Sequence, residues 1–133
     1  GMTGAALADL IKRTDQNYVL VGHSLGARVA VTAAQALGTN RDEPPRIEAM
    51  HLLGAAVDDG GDWQTLNNAV SDTIWNYWSR NDKVLGIAYR AVRAGGVAVG
   101  HAGFDSGFAR IKDRDVSKLV PSHSAYVPNI KLR

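Results

Sequence analysis

The sequence contains no cysteine among its 133 residues, which excludes disulfides and thiolate chemistry and fits a cytoplasmic protein. No apolar run approaches the roughly 20 residues of a membrane-spanning helix, so we expect no transmembrane segment. The net charge is only +2 and no cluster of Lys and Arg occurs, so we expect no nucleic-acid partner. The four histidines lack the spacing of a metal site, and we expect neither a metal nor a cofactor.

What is present is typical of one globular domain. The chain is 45% hydrophobic and 21% charged, and its length suits a single core. Strand-like and helix-like stretches alternate along it. We predict strands at residues 18–21, 47–53, 74–79 and 108–116, and helices at 5–13, 25–37, 63–70 and 84–93. This alternation predicts an α/β fold of about four parallel strands with flanking helices, in which the loops after the strands meet at one edge of the sheet.

Three of these segments carry more detailed expectations. The first helix should bury a face made of Ala5, Leu7, Leu10 and Ile11. The first strand is a continuous apolar run, which is typical of a strand buried on both faces of a parallel sheet. The Gly-rich segment 95–107 is hard to assign to an element, and we interpret it as a mobile loop over the site.

The most informative stretch runs from Tyr18 to Arg28. Four apolar residues lead into Gly-His-Ser-Leu-Gly at positions 22–26, and a helix-like stretch rich in Ala and Val follows at once. This is the G-x-S-x-G pattern in the strand, turn and helix setting of a nucleophile elbow. We predict that Ser24 is held in a strained conformation at the tip of the turn, and that a Cβ atom at Gly22 or Gly26 would collide across it.

Other Gly-rich motifs fit this stretch less well. An ordinary strand-to-helix turn containing Ser and Gly is the plain alternative. A dinucleotide-binding loop needs glycine where Ser24 stands, and a phosphate-binding P-loop needs Gly-Lys-Ser/Thr, which is absent.

A serine nucleophile needs a base within hydrogen-bond reach and an acid that orients the base. In this architecture the acid precedes the base along the chain. Asp82 follows the third predicted strand and His123 follows the fourth, so we predict these two as acid and base. The alternatives are Asp58 or Asp59 as the acid and His101 as the base, while the plain role of Asp82 is to cap the following helix. A glycosidase that uses two carboxylates has no other support.

The remaining polar positions near the elbow are less decisive. The backbone N–H of Leu25 should form the oxyanion hole, but no earlier strand supplies its usual second donor. Arg28 either pairs with an acid near the site or lies on a solvated helix face. We interpret His23 as a packing residue whose side chain leaves the turn in another direction, and His51 as a core residue within a strand.

Four segments carry a resemblance to a known family. Residues 22–29 (Gly-His-Ser-Leu-Gly-Ala-Arg-Val), 52–57 (Leu-Leu-Gly-Ala-Ala-Val), 77–86 (Tyr-Trp-Ser-Arg-Asn-Asp-Lys-Val-Leu-Gly) and 113–117 (Asp-Arg-Asp-Val-Ser) take part in it. They resemble the lipase-like α/β-hydrolase family of the eukaryotic transmembrane and coiled-coil domain proteins and their bacterial relatives. The resemblance extends from about Tyr18 to His123, and it implies Ser24 as nucleophile, Asp82 as acid and His123 as base.

The resemblance also implies that residues 1–133 form a single domain corresponding to the C-terminal half of a full fold, strands five to eight of the usual sheet. The first strand would then lack a neighbour, so we expect a homo-oligomer, a sheet completed by another chain, or a chain that is a fragment of a longer protein. We predict a serine hydrolase that acts on a small-molecule or lipid ester through an acyl-enzyme. The alternative is a non-catalytic module that binds a partner, and nucleotide binding at the same sheet edge is a weaker third hypothesis.

Overall fold

The structure is a computed structural model that describes residues 2–40, 42–92, 96–104 and 106–132. Its helices are α1 (Met2–Lys12), α2 (Leu25–Gly38), α3 (Trp63–Ala69), α4 (Arg90–Val92), α5 (Val99–Ala102) and α6 (Tyr126–Asn129). Its strands are β1 (Tyr18–His23), β2 (Ile47–Leu53), β3 (Val70–Trp78) and β4 (Ile111–Asp115). A π-helical turn at Val84–Tyr89 precedes α4, and a 3₁₀ turn at His123–Ala125 precedes α6.

The four strands form one parallel sheet in the order β1-β2-β3-β4, which confirms the predicted α/β architecture. The register brings the ends of the strands together: His23 pairs with Leu53, and Leu53 pairs with Tyr77. The segments that follow the strands therefore start from one edge of the sheet, where α/β folds place their sites.

One face of the sheet is covered by α2 and α3 and holds the largest core cluster, which includes Met50, Leu52 and Ile74. Helix α1 packs on α2 rather than on the sheet. Its buried positions are Gly4, Ala8 and Ile11. The predicted apolar face was partly wrong, because Ala5 is exposed and Leu10 is 60% exposed.

The opposite face is covered unevenly. On this face, the segment after β4 packs over the carboxyl ends of the strands. It forms a second cluster of Leu53, Tyr77, Val116, Val120 and Tyr126. On β1, however, Val19 and Val21 are 52% and 53% exposed. The prediction that β1 is buried on both faces is therefore wrong: β1 is an edge strand, and only its α2 side is covered.

Several predicted boundaries also shift. The helix predicted at 63–70 ends at Ala69, and β3 begins at Val70 rather than at residue 74. Strand β4 is shorter than the predicted 108–116. The helix predicted at 84–93 begins as a π-helical turn and is described to Val92.

The Gly-rich segment does not form a loop over the site. Residues 98–100, 103 and 104 are buried, and α5 lies within this stretch; residues 95 and 105 lie outside the described ranges. A Cβ atom on Gly100 would lie 2.1 Å from the backbone nitrogen of Ala55, so glycine allows α5 to pack directly on the chain after β2.

Candidate active site

The turn between β1 and α2 is strained at one residue. Ser24 has φ 58° and ψ −118°, and it is the one non-glycine residue with positive φ in the described chain. Its neighbours hold this conformation, because its N–H donates to the Leu53 carbonyl at 3.0 Å and its own carbonyl accepts the Ala56 N–H at 3.2 Å. Such strain persists where surrounding contacts determine the backbone, and it is concentrated at functional sites.

The two glycines of the motif have different roles. A Cβ atom on Gly22 would lie 2.7 Å from backbone atoms of Ala27 and Gly26, as predicted. A Cβ atom on Gly26 would meet nothing within 4 Å, so the predicted collision at this position is wrong. Gly26 is exposed in the first turn of α2, and a Cβ atom there would enter open space.

The structure brings Ser24, His123 and Asp82 into one hydrogen-bonded chain. The Ser24 Oγ lies 2.8 Å from His123 Nε2, and His123 Nδ1 lies 2.6 Å from Asp82 Oδ2. When Nδ1–H donates to the carboxylate, a neutral imidazole leaves Nε2 as an acceptor for the serine hydroxyl. Asp82 is fully buried and the His123 side chain is 16% exposed, so the chain leads from the interior to the surface.

Asp82 combines the two roles considered for it from sequence. Its Oδ1 accepts the backbone N–H of Leu85 at 3.1 Å, as an N-capping carboxylate does. Its Oδ2 accepts from His123 and also from the Tyr126 hydroxyl, which lies 3.0 Å away. The buried carboxylate thus has three donors, which offset the cost of removing its charge from water.

His23 connects the elbow to the segment that carries His123. Its Nε2 donates to the backbone carbonyl of His123 at 2.8 Å, and the two rings lie 4.9 Å apart. The sequence led us to predict that His23 has a packing role and that its side chain leaves the turn away from the site. In the structure it fixes the backbone of the candidate base.

The other candidates do not take part in this hydrogen-bonded chain. Asp58 accepts the Tyr89 hydroxyl at 2.6 Å, and the Asp59 carbonyl accepts the Trp63 indole N–H. The ring of His101 packs against Gly86, and its Nδ1 is buried without a hydrogen-bond partner in the described part of the chain. His51 is a core residue as predicted, 3% exposed and 3.0 Å from the Tyr77 hydroxyl.

Leu25 and Arg28 lie beside Ser24 on α2. Leu25 is the first residue of the helix, where backbone N–H groups have no partner within the helix and favour an anion. Arg28 donates from Nε to the Ala56 carbonyl at 2.7 Å, and its guanidinium lies 5.9 Å from the centre of the Tyr89 ring. Neither role considered for Arg28 from sequence matches this contact, since its acceptor is a backbone carbonyl.

A groove of about 360 Å³ opens next to Ser24. Its lining is mainly apolar and consists of Ser24, Leu25, Arg28, Ala56, Val84, Leu85, Ala88, Tyr89 and Val92. Tyr89 stays protonated because burial, and then the neighbouring Asp58, raise its pKa. The volume lies in the range typical of small-molecule sites, and the apolar walls suit a hydrocarbon group.

Sequence reasoning missed two residues of this site. Tyr126 lies three positions after His123 and bonds to Asp82, but a lone tyrosine near the end of a chain gives no signal of that contact. Gly54, with φ 53°, leaves room for both: a Cβ atom there would lie 2.6 Å from the Tyr126 ring and 3.1 Å from Asp82 Oδ2. A glycine directly after a predicted strand was the available clue.

Two further observations concern the described residues as a whole. Among them, no three His, Asp or Glu side chains are grouped so as to hold a metal ion. None of the helices in the described ranges combines the length and apolar character needed to cross a bilayer.

Comparison with known proteins finds two relatives that are much longer than this chain. It is 32% identical to a transmembrane and coiled-coil domain-containing protein, STS1, of Oryza sativa subsp. japonica, over 93% of this chain and 19% of the relative. It is 33% identical to an uncharacterized membrane protein, C6F6.13c, of Schizosaccharomyces pombe, over 93% of this chain and 16% of the relative. The chain therefore spans less than a fifth of the length of either protein.

The first of these names agrees with the transmembrane and coiled-coil domain proteins that the sequence motifs resemble. No solved structure matches the chain. A family model described as "Protein of unknown function (DUF726)" matches residues 2–132. The chain belongs to this DUF726 family.

Proposed function

We propose that this chain is an α/β-hydrolase-like domain and a serine hydrolase that acts on carboxylic esters. The observation that carries the proposal is the continuous hydrogen-bonded chain from Ser24 Oγ through His123 to the buried Asp82. Its serine stands on a strained strand-to-helix turn, as a nucleophile elbow requires. Nucleophile, base and orienting acid are the three groups that acyl transfer by serine needs.

In the acylation step, Ser24 Oγ attacks the ester carbonyl carbon while His123 Nε2 takes the hydroxyl proton. The carbonyl oxygen becomes an oxyanion that the Leu25 N–H and the N-terminus of α2 stabilise. The bond to the alcohol oxygen then breaks, and the imidazolium returns its proton to the leaving alkoxide. Asp82 holds the ring orientation and stabilises the imidazolium without accepting its proton.

In the deacylation step, a water molecule attacks the acyl-enzyme carbonyl and gives its proton to His123 Nε2. Collapse of the second tetrahedral intermediate releases the carboxylic acid, and the proton returns to Ser24 Oγ. With Leu25 as the one oxyanion donor that we identify, we expect a rate lower by about 10²–10³ than that of a hydrolase with two donors.

The groove beside Ser24 supports an apolar acyl group on a small-molecule or lipid ester. Leu25, Val84 and Val92 are 62%, 49% and 83% exposed along it. An aliphatic chain placed there would cover these side chains, and each methylene buried contributes about 0.8 kcal/mol to binding.

The test is covalent labelling with a fluorophosphonate, read by intact-protein mass. We expect one adduct on the parent protein and none on Ser24→Ala. Ser124→Ala is the matched control, because Ser124 is an exposed serine next to His123 and outside the hydrogen-bonded chain. The Ser124→Ala variant should label at the rate of the parent protein.

A folded parent protein that does not label, or a Ser24→Ala variant that still labels, would contradict the hydrolase proposal. Circular dichroism of each variant shows whether the sheet is intact. His123→Gln should reduce the labelling rate by at least about 10³-fold, because a serine without its base is a weak nucleophile.

A second candidate function has its own observation, the unpaired outer edge of β1 and the exposed Val19 and Val21 in the described structure. Such an edge is a template for a strand from another chain. We propose that β1 pairs with a second copy of this chain or with another protein. Light scattering tests the first option: Val21→Glu should reduce the mass of an oligomer, whereas Val127→Glu, at an exposed site on α6, should not. A monodisperse monomer well above assay concentrations would exclude self-pairing.

A further inference from the structure

The hydroxyl of Tyr126 lies against the same carboxylate oxygen that holds the candidate base. It is 3.0 Å from Asp82 Oδ2, which also accepts from His123 Nδ1 at 2.6 Å, and both Tyr126 and Asp82 are fully buried. We propose that Tyr126 is a positioning residue for the acid–base pair, an inference that rests on the hydrolase function proposed above. It fixes the carboxylate so that Oδ2 faces His123.

The hydroxyl has a second acceptor, and the contacts decide between them. The Gly100 carbonyl lies 3.2 Å away, but it already accepts the Ser79 N–H at 3.1 Å. A hydrogen bond to an ionised carboxylate is roughly twice as strong as one between neutral groups. The proton therefore goes to Asp82. Burial, and then the charge of Asp82, raise the pKa of Tyr126, so the hydroxyl remains a donor at any pH at which the protein would be assayed.

Packing fixes the position of the Tyr126 ring. The ring belongs to the second apolar cluster, with Tyr77 and Val120, on the face of the sheet opposite α2 and α3. Gly54 lies directly beneath it, where a Cβ atom would come within 2.6 Å of Cε2. The hydroxyl consequently has little freedom to follow a carboxylate that moves, so the ring sets the position of Oδ2.

Chain geometry explains why one short segment can do this. His123 and Tyr126 are three residues apart in a helical turn, so both side chains reach Asp82 from the same side. The Leu85 N–H holds the other carboxylate oxygen. Without the Tyr126 hydroxyl, Oδ2 would be held by the bond to the imidazole alone. That imidazole gains and loses a proton, and with it a positive charge, during each catalytic cycle.

The experiment compares Tyr126→Phe with Tyr77→Phe. Tyr77 is the matched control because it is 2% exposed in the same cluster and its hydroxyl bonds His51 rather than the candidate site. Both variants lose one buried hydroxyl, so both should lose similar stability. We expect kcat for ester hydrolysis to fall about 5- to 30-fold in Tyr126→Phe and less than about twofold in Tyr77→Phe. The reason is that the Tyr126 hydroxyl holds the carboxylate that orients His123, whereas the Tyr77 hydroxyl contacts His51. KM should not change, because Tyr126 does not line the groove.

A spectroscopic signature separates positioning from a structural effect. The His123 Nδ1–H proton, identified by its loss in His123→Gln, should give a low-field proton NMR resonance. In Tyr126→Phe this resonance should move downfield because Oδ2 no longer shares its charge with a second donor, while in Tyr77→Phe it should stay in place. Equal losses of kcat in the two variants, or an unmoved resonance in Tyr126→Phe, would overturn the inference. Absence of labelling at Ser24 in folded parent protein would instead overturn the hydrolase function. The NMR measurement is independent of that outcome, because it detects the hydrogen bond between His123 and Asp82 and needs no catalytic activity.

Discussion

The two glycines of the elbow make a sharp test, because the sequence motif treats them alike and the structure does not. In Gly22→Ala the new Cβ atom would lie 2.7 Å from backbone atoms of Ala27 and Gly26. Ordinary carbon contacts are about 3.5–4.0 Å, and backbone at the start of a helix cannot move aside cheaply. In Gly26→Ala the new Cβ atom would enter open space.

The expected changes in stability have opposite signs. Overpacking of this kind costs about 3 kcal/mol, so we expect the Tm of Gly22→Ala to fall by roughly 10 °C. Alanine is a better helix former than glycine by about 0.5–1 kcal/mol, and position 26 lies within α2. We therefore expect Gly26→Ala to raise the Tm by roughly 2–4 °C.

The functional readout is the rate of fluorophosphonate labelling. Gly22→Ala should push the turn apart and move Ser24 away from His123, and a displacement of about 1 Å is enough to lower reactivity about 10²-fold. Gly26→Ala should label within about twofold of the parent rate. Equal destabilisation of the two variants, or slow labelling of Gly26→Ala at full stability, would refute the geometric account of the turn.

Three further predictions address the groove, the core and the contact beneath Tyr126. Ala88→Trp should narrow the groove and lower hydrolysis of octanoate relative to acetate esters about tenfold, whereas Ile87→Trp, on the neighbouring exposed position outside the lining, should leave that ratio unchanged. Burial lowers the pKa of His51 below 6.5, so the unfolded chain binds the proton more readily than the folded chain. The Tm should therefore fall as the pH drops below about 6.5, and the dependence of Tm on pH should be weaker in His51→Gln. Gly54→Ala should cost about 2 kcal/mol in urea unfolding and slow labelling in parallel, because the residue has positive φ and contacts Tyr126; a fully stable variant would contradict this.

The sequence predicted the sheet well because its evidence was local. Apolar runs of strand length that alternate with helical stretches indicate parallel strands, and the four strands form in chain order. The exposure of β1 could not be read from such a run. Val19 and Val21 have the residue type of a doubly covered strand, and whether a layer covers them depends on the path of the rest of the chain.

The candidate site divides in the same way. Ser24, Asp82 and His123 could be proposed because each follows a strand and parallel topology gathers strand ends. Contacts that depend on close packing in the folded chain could not be predicted from the sequence. Gly38, the last residue of α2, is a close-packing position, since a Cβ atom there would lie 2.4 Å from the Thr65 carbonyl oxygen on α3. The contact of Tyr126 with Asp82 spans 44 positions and leaves no periodic trace in the sequence.

The capping bond that the Leu85 N–H donates to Asp82 has a consequence for how such a domain would evolve. The same carboxylate starts the helical turn that forms one wall of the groove, so its loss would damage the fold as well as the chemistry. The Ser24 hydroxyl makes no capping bond and contacts His123 instead, so its loss would leave the start of the helical turn unchanged. Under the proposed hydrolase function, a descendant that loses activity should therefore lose the serine first and retain the aspartate. An aspartate at this position in a relative would then not by itself indicate a hydrolase.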